Sequence, residues 1–191
     1  MIKRLFDIIA AILGLLLLAP VIAVVTFQIR CKLGSPILFR QVRPGRDGKP
    51  FEMIKFRTMV VDAEKAGASW ASKNDPRVTR MGKFMRKTRI DEIPQLLNVL
   101  KGDMSFVGPR PDLQGFADEL KGDDRIILIV KPGITGLAQV SGYRGEIKKK
   151  SDIKNRVRFD IFYIENWSFL LDIKIILMTV FNVFKGDENA Y

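Results

Sequence analysis

A mainly helical, membrane-associated α/β fold is predicted by three stretches of the sequence. An uncharged apolar run from Ile8 to Phe27 is, at about 1.5 Å per residue, as long as the roughly 30 Å hydrocarbon core of a bilayer. Basic and apolar residues recur at helical spacing from Pro76 to Ile90, the composition of a helix lying in a membrane interface. Two short β-prone runs, ILFRQ and FEMIKF, flank the turn-forming RPGRDGKP and predict a small β-hairpin.

Composition narrows the field. The 191 residues are one domain's worth of chain, and 47% of them are hydrophobic, enough to bury a core. A formal charge of +11 calls for an anionic partner, whether nucleic acid, a membrane surface or a phosphorylated substrate. Histidine is absent, which removes the commonest general base and metal ligand. The single cysteine, Cys31, excludes an internal disulfide and fits a reducing compartment.

In chain order, the apolar run comes first. Pro20 lies well inside it and favours a kink. Lys3 and Arg4 precede the run and Arg30 and Lys32 follow it, so the distribution of positive charge assigns no orientation and both ends can lie on one side. In the hairpin, Lys55 and Arg57 are expected on the same strand face. Val60 to Asp75, rich in Ala, Gly, Ser and charge, reads as a loop or partly helical connection. In the basic stretch, Val78, Met81, Met85 and Ile90 share an apolar side, and Arg86 precedes Asp91 by little more than a helical turn.

The stretch from Arg86 to Pro111 carries the chemistry. Pro94 is tolerated in a first helical turn, so a helix is expected to begin near Asp91 to Ile93 and to run to Gly102, with Asp91 at or beside its N-cap. There the orphan N–H groups and the helix dipole keep a carboxylate ionised. An ionised carboxylate can attack phosphorus, or bind Mg²⁺ together with substrate phosphates. Adjacent helical residues point about 100° apart, so Asp91 and Glu92 need not share one task. The plainer reading of the pair is a cap and a first-turn acid. Pro109 and Pro111 hold Arg110 in extended backbone, presenting a planar fork to a phosphate.

Beyond it, Asp112 to Asp124 reads as an acidic, solvated helix and Arg125 to Val130 (RIILIV) as a β-prone run. Pro132 to Gly136 reads as a turn whose glycines could admit a phosphate or base, followed by Gln139 and Arg144 as polar contacts. Lys148 to Trp167 is expected to be helical. A second helix, from Ser168 to Lys185, places Asp172, Thr179, Asn182 and Gly186 at helical spacing among apolar residues. It either packs under the site or lies flat in the interface, with Trp167 at headgroup level.

The run DEIPQLLNVLKGDMSFVGPRP, with KFRTM at Lys55 to Met59 and PGITGLAQVSG at Pro132 to Gly142, resembles the bacterial sugar transferases, the monotopic phosphoglycosyl transferases, over nearly the whole chain. The resemblance implies a re-entrant membrane helix in residues 1–34 and a compact catalytic domain with interfacial helices in 35–191, on the cytoplasmic face of the bacterial inner membrane. This is the small, catalytic-core-only form. Where the family carries Ser-Pro at the helix break, this chain has Ala19-Pro20.

The implied reaction passes a phosphosugar from a UDP-sugar to undecaprenyl phosphate, releases UMP, and begins assembly of a surface glycan such as an exopolysaccharide, O-antigen or glycoprotein glycan. Asp91 is the implied nucleophile of a covalent aspartyl-phosphosugar intermediate, and Glu92 the implied ligand of a Mg²⁺ cofactor. Arg110, with Lys55 or Arg86, would bind substrate phosphate, and Gln139 and Arg144 would touch the nucleotide sugar. The rival reading is a basic membrane-surface or nucleic-acid-binding protein without catalysis. It explains the charge but not Asp91, Glu92 and Arg110 in one block, and under the resemblance no nucleic-acid partner is expected. The sugar, the glycan pathway, the residues that recognise the base, whether the N-terminal helix is re-entrant or spanning, and whether the chain forms a homodimer are not readable from the sequence.

Overall fold

A computed structural model describes residues 2–63, 65, 75–112, 120, 122–143 and 150–185 of the chain. The molecule is mainly helical, with a small antiparallel hairpin and a short parallel strand pair set among the helices.

The apolar N-terminal run forms α1, Ile2–Lys32, a helix of 31 residues that runs through Pro20 as one element. The break expected at Pro20 therefore does not divide it. Pro20 is exposed, and the opposite side is held down by Asp7, Ala11, Leu15, Leu18, Ile22, Val25 and Ile29, spaced three or four apart. The front half of this stripe packs with Met53, Leu96, Val99 and Met104, and the rear half with Phe56 and Met85. Both ends of α1 are thus seated on the same body. Its outer face leaves Leu5, Leu13, Leu16, Leu17 and Phe27 exposed.

The hairpin forms as predicted. Strand β1, Leu38–Pro44, pairs antiparallel with β2, Pro50–Phe56, across a 3₁₀ turn at Arg46–Gly48. Lys55 lies opposite Phe39 near the end of β2. Arg57, expected on the same face as Lys55, takes different partners. Its guanidinium donates to the carbonyls of Leu33, Gly34 and Ser35, tying the hairpin to the end of α1. A buried guanidinium satisfies its donors with whatever carbonyls lie nearest, and the frayed helix end supplies them.

Helix α2, Arg80–Lys87, is shorter than the basic stretch that predicts it, because Thr79 caps it by accepting from Gly82 N–H at 2.9 Å. Met81 and Met85 face inward with Ile90, while Arg80, Lys83, Phe84 and Lys87 are exposed. A 3₁₀ turn, Ile90–Glu92, leads to α3, Gln95–Lys101, which ends at Gly102 in the left-handed region. In the loop expected between Val60 and Asp75, residues 64 and 66–74 lie outside the described residues.

Two sequence expectations give way beyond α3. RIILIV is not a strand: Gly122–Leu128 is a 3₁₀ segment, and Ile127 and Leu128 pack with Leu120 and Val157. Instead Gly133–Thr135, expected to be a turn, forms β4 and pairs in parallel with β3, Ser105–Val107. A strand needs a partner edge, and the one available lies beside Pro132 to Thr135. Of the helix expected from Asp112 to Asp124, residues 113–119 and 121 lie outside the described residues.

A single-turn helix α4, Leu137–Val140, follows, then α5, Lys150–Glu165, and α6, Phe169–Lys185. The polar residues spaced along α6 face inward. Asp172 accepts from Lys3 Nζ, Tyr163 Oη and Trp167 Nε1; Thr179 bonds Thr135; Asn182 donates to Val140 O. The outer face of α6 leaves Leu170, Leu177, Phe181 and Phe184 exposed, so the helix both packs on the domain and presents an apolar side. Gly186 lies outside the described residues.

Candidate active site

Asp91 and Glu92 sit one turn earlier than expected. They occupy the 3₁₀ turn, and the N-cap of α3 is Pro94, which has no side-chain acceptor to offer. Pro94 also lacks the N–H of an α-type bond, so the chain closes with shorter rings: Ile93 N–H to Ile90 O at 3.2 Å, and Leu96 N–H to Ile93 O at 3.0 Å. Arg89, just ahead, is left-handed at φ 59°, a conformation that costs a non-glycine residue about 1–2 kcal/mol. It swings the chain from α2 into this turn. Both carboxylates are buried, at 6% and 4% exposure.

Two distant cations converge on Glu92. Its Oε1 accepts from Lys55 Nζ at 3.0 Å and from Arg110 Nη2 at 2.9 Å. These residues lie 37 and 18 positions away in sequence. Burial, aided by the Arg110 charge, holds the Lys55 amine below its ordinary range, with Glu92 opposing the shift. Burial is the strongest single pull on Arg110, but Glu92, joined by Asp112 and Asp91, outweighs it and the guanidinium is raised. Arg86 is half-buried rather than a solvated headgroup contact. Its Nε donates to Thr58 Oγ1 at 3.0 Å. Burial lowers its affinity for the proton, and Asp91 is the main charge acting against that. Lys55, Arg86, Asp91, Glu92 and Arg110 therefore form one cluster.

Backbone packing aims Arg110. At the end of β3, Gly108 N–H donates to Thr135 O and Gly133 N–H donates to Pro109 O, both at 2.9 Å. A Cβ on Gly133 would lie 2.2 Å from Gly108 N, and one on Gly136 would lie 2.3 Å from Gly108 O. The glycines of Pro132 to Gly136 thus admit a neighbouring backbone. On the far side of Arg110, Asp112 pairs with buried Arg156 at 2.9 Å. An apolar cleft lined by Arg110, Leu120, Leu128, Val130 and Pro132 opens beside the clamp.

Gln139 is buried on α4, and neither amide atom has a hydrogen-bond partner among the described residues. Among the described residues no hydrogen bond joins it to the carboxylate pair. Arg144 lies outside the described residues. Sequence reasoning missed Thr58, which anchors Arg86, although it stands inside the KFRTM run. It also missed Asn98, a polar residue inside an apolar helix, which is the signal that could have found it.

The site suits an oxyanion substrate. A buried carboxylate pair with three cations around it can place a nucleophilic oxygen against a phosphoryl group whose charge is neutralised. No group of three acidic, His or Cys side chains able to cage a metal occurs among the described residues. Asp91 and Glu92 nevertheless offer the hard oxygens that fit Mg²⁺, an ion commonly held by one or two carboxylates with substrate phosphates completing the shell.

The bacterial sugar transferase family model matches residues 1–186. The chain is 44% identical over 192 residues to the UDP-glucose:undecaprenyl-phosphate glucose-1-phosphate transferase of Klebsiella pneumoniae, covering 99% of this chain and 41% of that protein. The protein of the same name from Caulobacter vibrioides is 42% identical, with 99% of this chain and 72% of the relative covered. A UDP-N-acetylgalactosamine-undecaprenyl-phosphate N-acetylgalactosaminephosphotransferase from Aeromonas hydrophila is 40% identical across 97% of this chain and 44% of its own length. The chain thus spans about two-fifths of the Klebsiella and Aeromonas relatives.

Proposed function

The chain belongs to the bacterial sugar transferase family, and on that premise we propose that it transfers a sugar phosphate from a UDP-sugar to undecaprenyl phosphate. The observation that carries the reading is the buried Asp91–Glu92 pair with Lys55 and Arg110 on Glu92 and Arg86 beside Asp91. Relatives carry names with different sugars, glucose and N-acetylgalactosamine, so the donor is a UDP-hexose or its N-acetylamino derivative. The product would begin a surface glycan.

In this reading a carboxylate oxygen of Asp91 attacks the sugar-bearing phosphorus. The bond from that phosphorus to the bridging oxygen breaks and UMP leaves with the electron pair. A phosphate oxygen of the lipid then displaces Asp91, restoring the carboxylate. Arg110, Lys55 and Arg86 offset charge on the transferring phosphoryl oxygens. Glu92 holds Lys55 and Arg110 in place and, with Asp91, would hold Mg²⁺, which when bound neutralises substrate phosphates. Gln139 and Arg144 are assigned to the nucleotide sugar; a buried amide lacking internal partners supports that for Gln139.

The acceptor's phosphate lies at headgroup depth and its donor is soluble, so the reaction belongs at the membrane boundary. Supporting this are the exposed apolar residues on the outer sides of α1 and of α6. Lys3, Arg4 and Asp7, in the first two turns of α1, all reach into the domain, Arg4 through the carbonyls of Val99 and Leu100 and Asp7 through Ser105. The other end is held by Arg57. Both ends of α1 on one body argue against a spanning helix; a re-entrant course would require α1 to bend at Pro20, and the cytoplasmic face of the inner membrane is inherited from the family resemblance. The membrane lipid would cover the exposed apolar residues.

The test is UMP release by detergent-solubilised protein given a panel of UDP-sugars, Mg²⁺ and undecaprenyl phosphate. Asp91→Asn should lose at least about three orders of magnitude, and EDTA should stop release. Intact mass after incubation with donor alone should show a phosphosugar adduct that Asp91→Asn lacks. Near wild-type turnover by Asp91→Asn would end the covalent scheme.

A further inference from the structure

The geometry points to Asn98 as a positioning residue: through one side-chain amide it registers the strand that carries Lys55 against the helix that follows Glu92. Asn98 is wholly buried on α3. Its Oδ1 accepts from Ile54 N–H at 3.1 Å, and its Nδ2 donates to Glu52 O at 2.7 Å. These are backbone groups on the edge of β2 that β1 does not take, so the amide acts as a one-residue third strand. A weaker contact of 3.4 Å runs from Nδ2 to Asp103.

The main-chain carbonyl of Asn98 works too. It accepts from Gly102, Asp103 and Met104 N–H at 3.0 to 3.3 Å and closes the end of α3. The helix cannot slide or rotate against β2 without breaking the amide's bonds to Ile54 and Glu52. Lys55 follows Ile54 directly, and Glu92 precedes Asn98 by six residues of short, hydrogen-bonded helix. The 3.0 Å approach of Lys55 to Glu92 therefore depends on where Asn98 holds the strand. Without the amide, the Ile54 N–H and Glu52 carbonyl must find water, and Ile54 is itself buried at 3%.

Asn98 touches neither Lys55 nor Glu92, so its effect is indirect. The role in turnover rests on the transferase reading; the role in placing Lys55 does not, and the test separates them. Acylation of Lys55 by an amine-directed acetyl ester, mapped by peptide mass spectrometry, reports how well the amine is held. It should quicken about fivefold or more in Asn98→Ala as the strand edge opens. The comparison is Val157→Ala, a truncation in the separate cluster under α5, which should leave Lys55 acylation unchanged despite a similar loss in melting temperature.

Should Asn98→Ala fail to fold, Asn98→Asp keeps the shape and the acceptor for Ile54 but, once ionised, not the donor to Glu52. Its Lys55 should react severalfold faster than wild type at pH 8. A Lys55 rate no higher in either Asn98 variant than in Val157→Ala overturns the proposal. In the UMP assay, Asn98→Ala should lose about tenfold to a hundredfold in kcat, the cost of small misplacements, with the donor KM within about twofold. Unchanged kcat in an active enzyme also overturns it. A wild type that releases no UMP, but whose Lys55 still responds to Asn98, would refute the transferase reading and leave the positioning intact.

Discussion

Replacing Glu92 by Gln removes the carboxylate that accepts from both Lys55 and Arg110. Glu92 is 4% exposed, and the two cationic side chains are 16% and 23% exposed, so solvent screens the cluster only in part. Breaking one partner from a buried ion pair costs about 3–5 kcal/mol, and the residual exposure favours the lower end. About 3 kcal/mol in a chain of this size is a drop of about 6–12 °C in Tm. The loss should depend on pH in a definite direction. Burial already holds Lys55 below its usual value, and without Glu92 it falls further. A lysine with a depressed folded pKa costs stability while it is protonated. Stability returns as pH rises from that folded pKa toward the unfolded value near 10.4.

The gap between Glu92→Gln and wild type should therefore narrow from pH 7 to pH 10, measured by thermal unfolding in detergent. Adding Lys55→Met should restore much of the loss at pH 7, because it removes one of two like charges buried side by side. A single variant as stable as wild type at pH 7, or a double variant no more stable than the single, would refute the electrostatic account.

Asp160, buried on α5, has its carboxyl raised to about 7 by burial, with Asp112 adding and Arg156 opposing. A raised acid is no burden below its unfolded pKa and becomes one as pH climbs to the folded value. Asp160→Asn should therefore be neutral near pH 4 and stabilising at pH 8, by at most about 4 kcal/mol; a melting-temperature gain independent of pH would contradict this. Gly133→Ala would put a Cβ 2.2 Å from Gly108 N, so the β3–β4 pair must separate. It should lose about 1–3 kcal/mol, and donor-dependent UMP release should fall more steeply than stability because Arg110 moves; unfolding at the wild-type midpoint would show that the backbones do not press together.

Much of this was legible because it is local. The hairpin follows from turn residues between alternating runs, and Gly102 ends α3 where a left-handed residue is required. The polar spacing along α6 could be read from the sequence, which left open whether that side packs or lies in the interface; the structure turns it inward and supplies its partners, Lys3, Thr135 and the Val140 carbonyl. Asp91, Glu92 and Arg110 stood out because they share one short block. Errors arose where a segment's state is chosen by its neighbours. RIILIV has strand propensity but meets helix α5 and no free edge, so it coils into a 3₁₀ segment. Asp91 was displaced from the expected N-cap because Pro94 withholds an N–H and shortens the preceding rings.

By itself the sequence determined the apolar helix, the hairpin, the end of α3 at Gly102 and an adjacent carboxylate pair, all consequences of backbone rules acting within a few residues. Only the tertiary structure decided that Lys55 meets Glu92 while Arg57 turns to the end of α1. It also decided that the glycines after Pro132 admit another backbone, and that Asn98 serves as an edge strand. Each of these depends on which groups are stripped of water together. A buried donor takes the nearest acceptor that folding brings to it, however far away in the chain that acceptor lies.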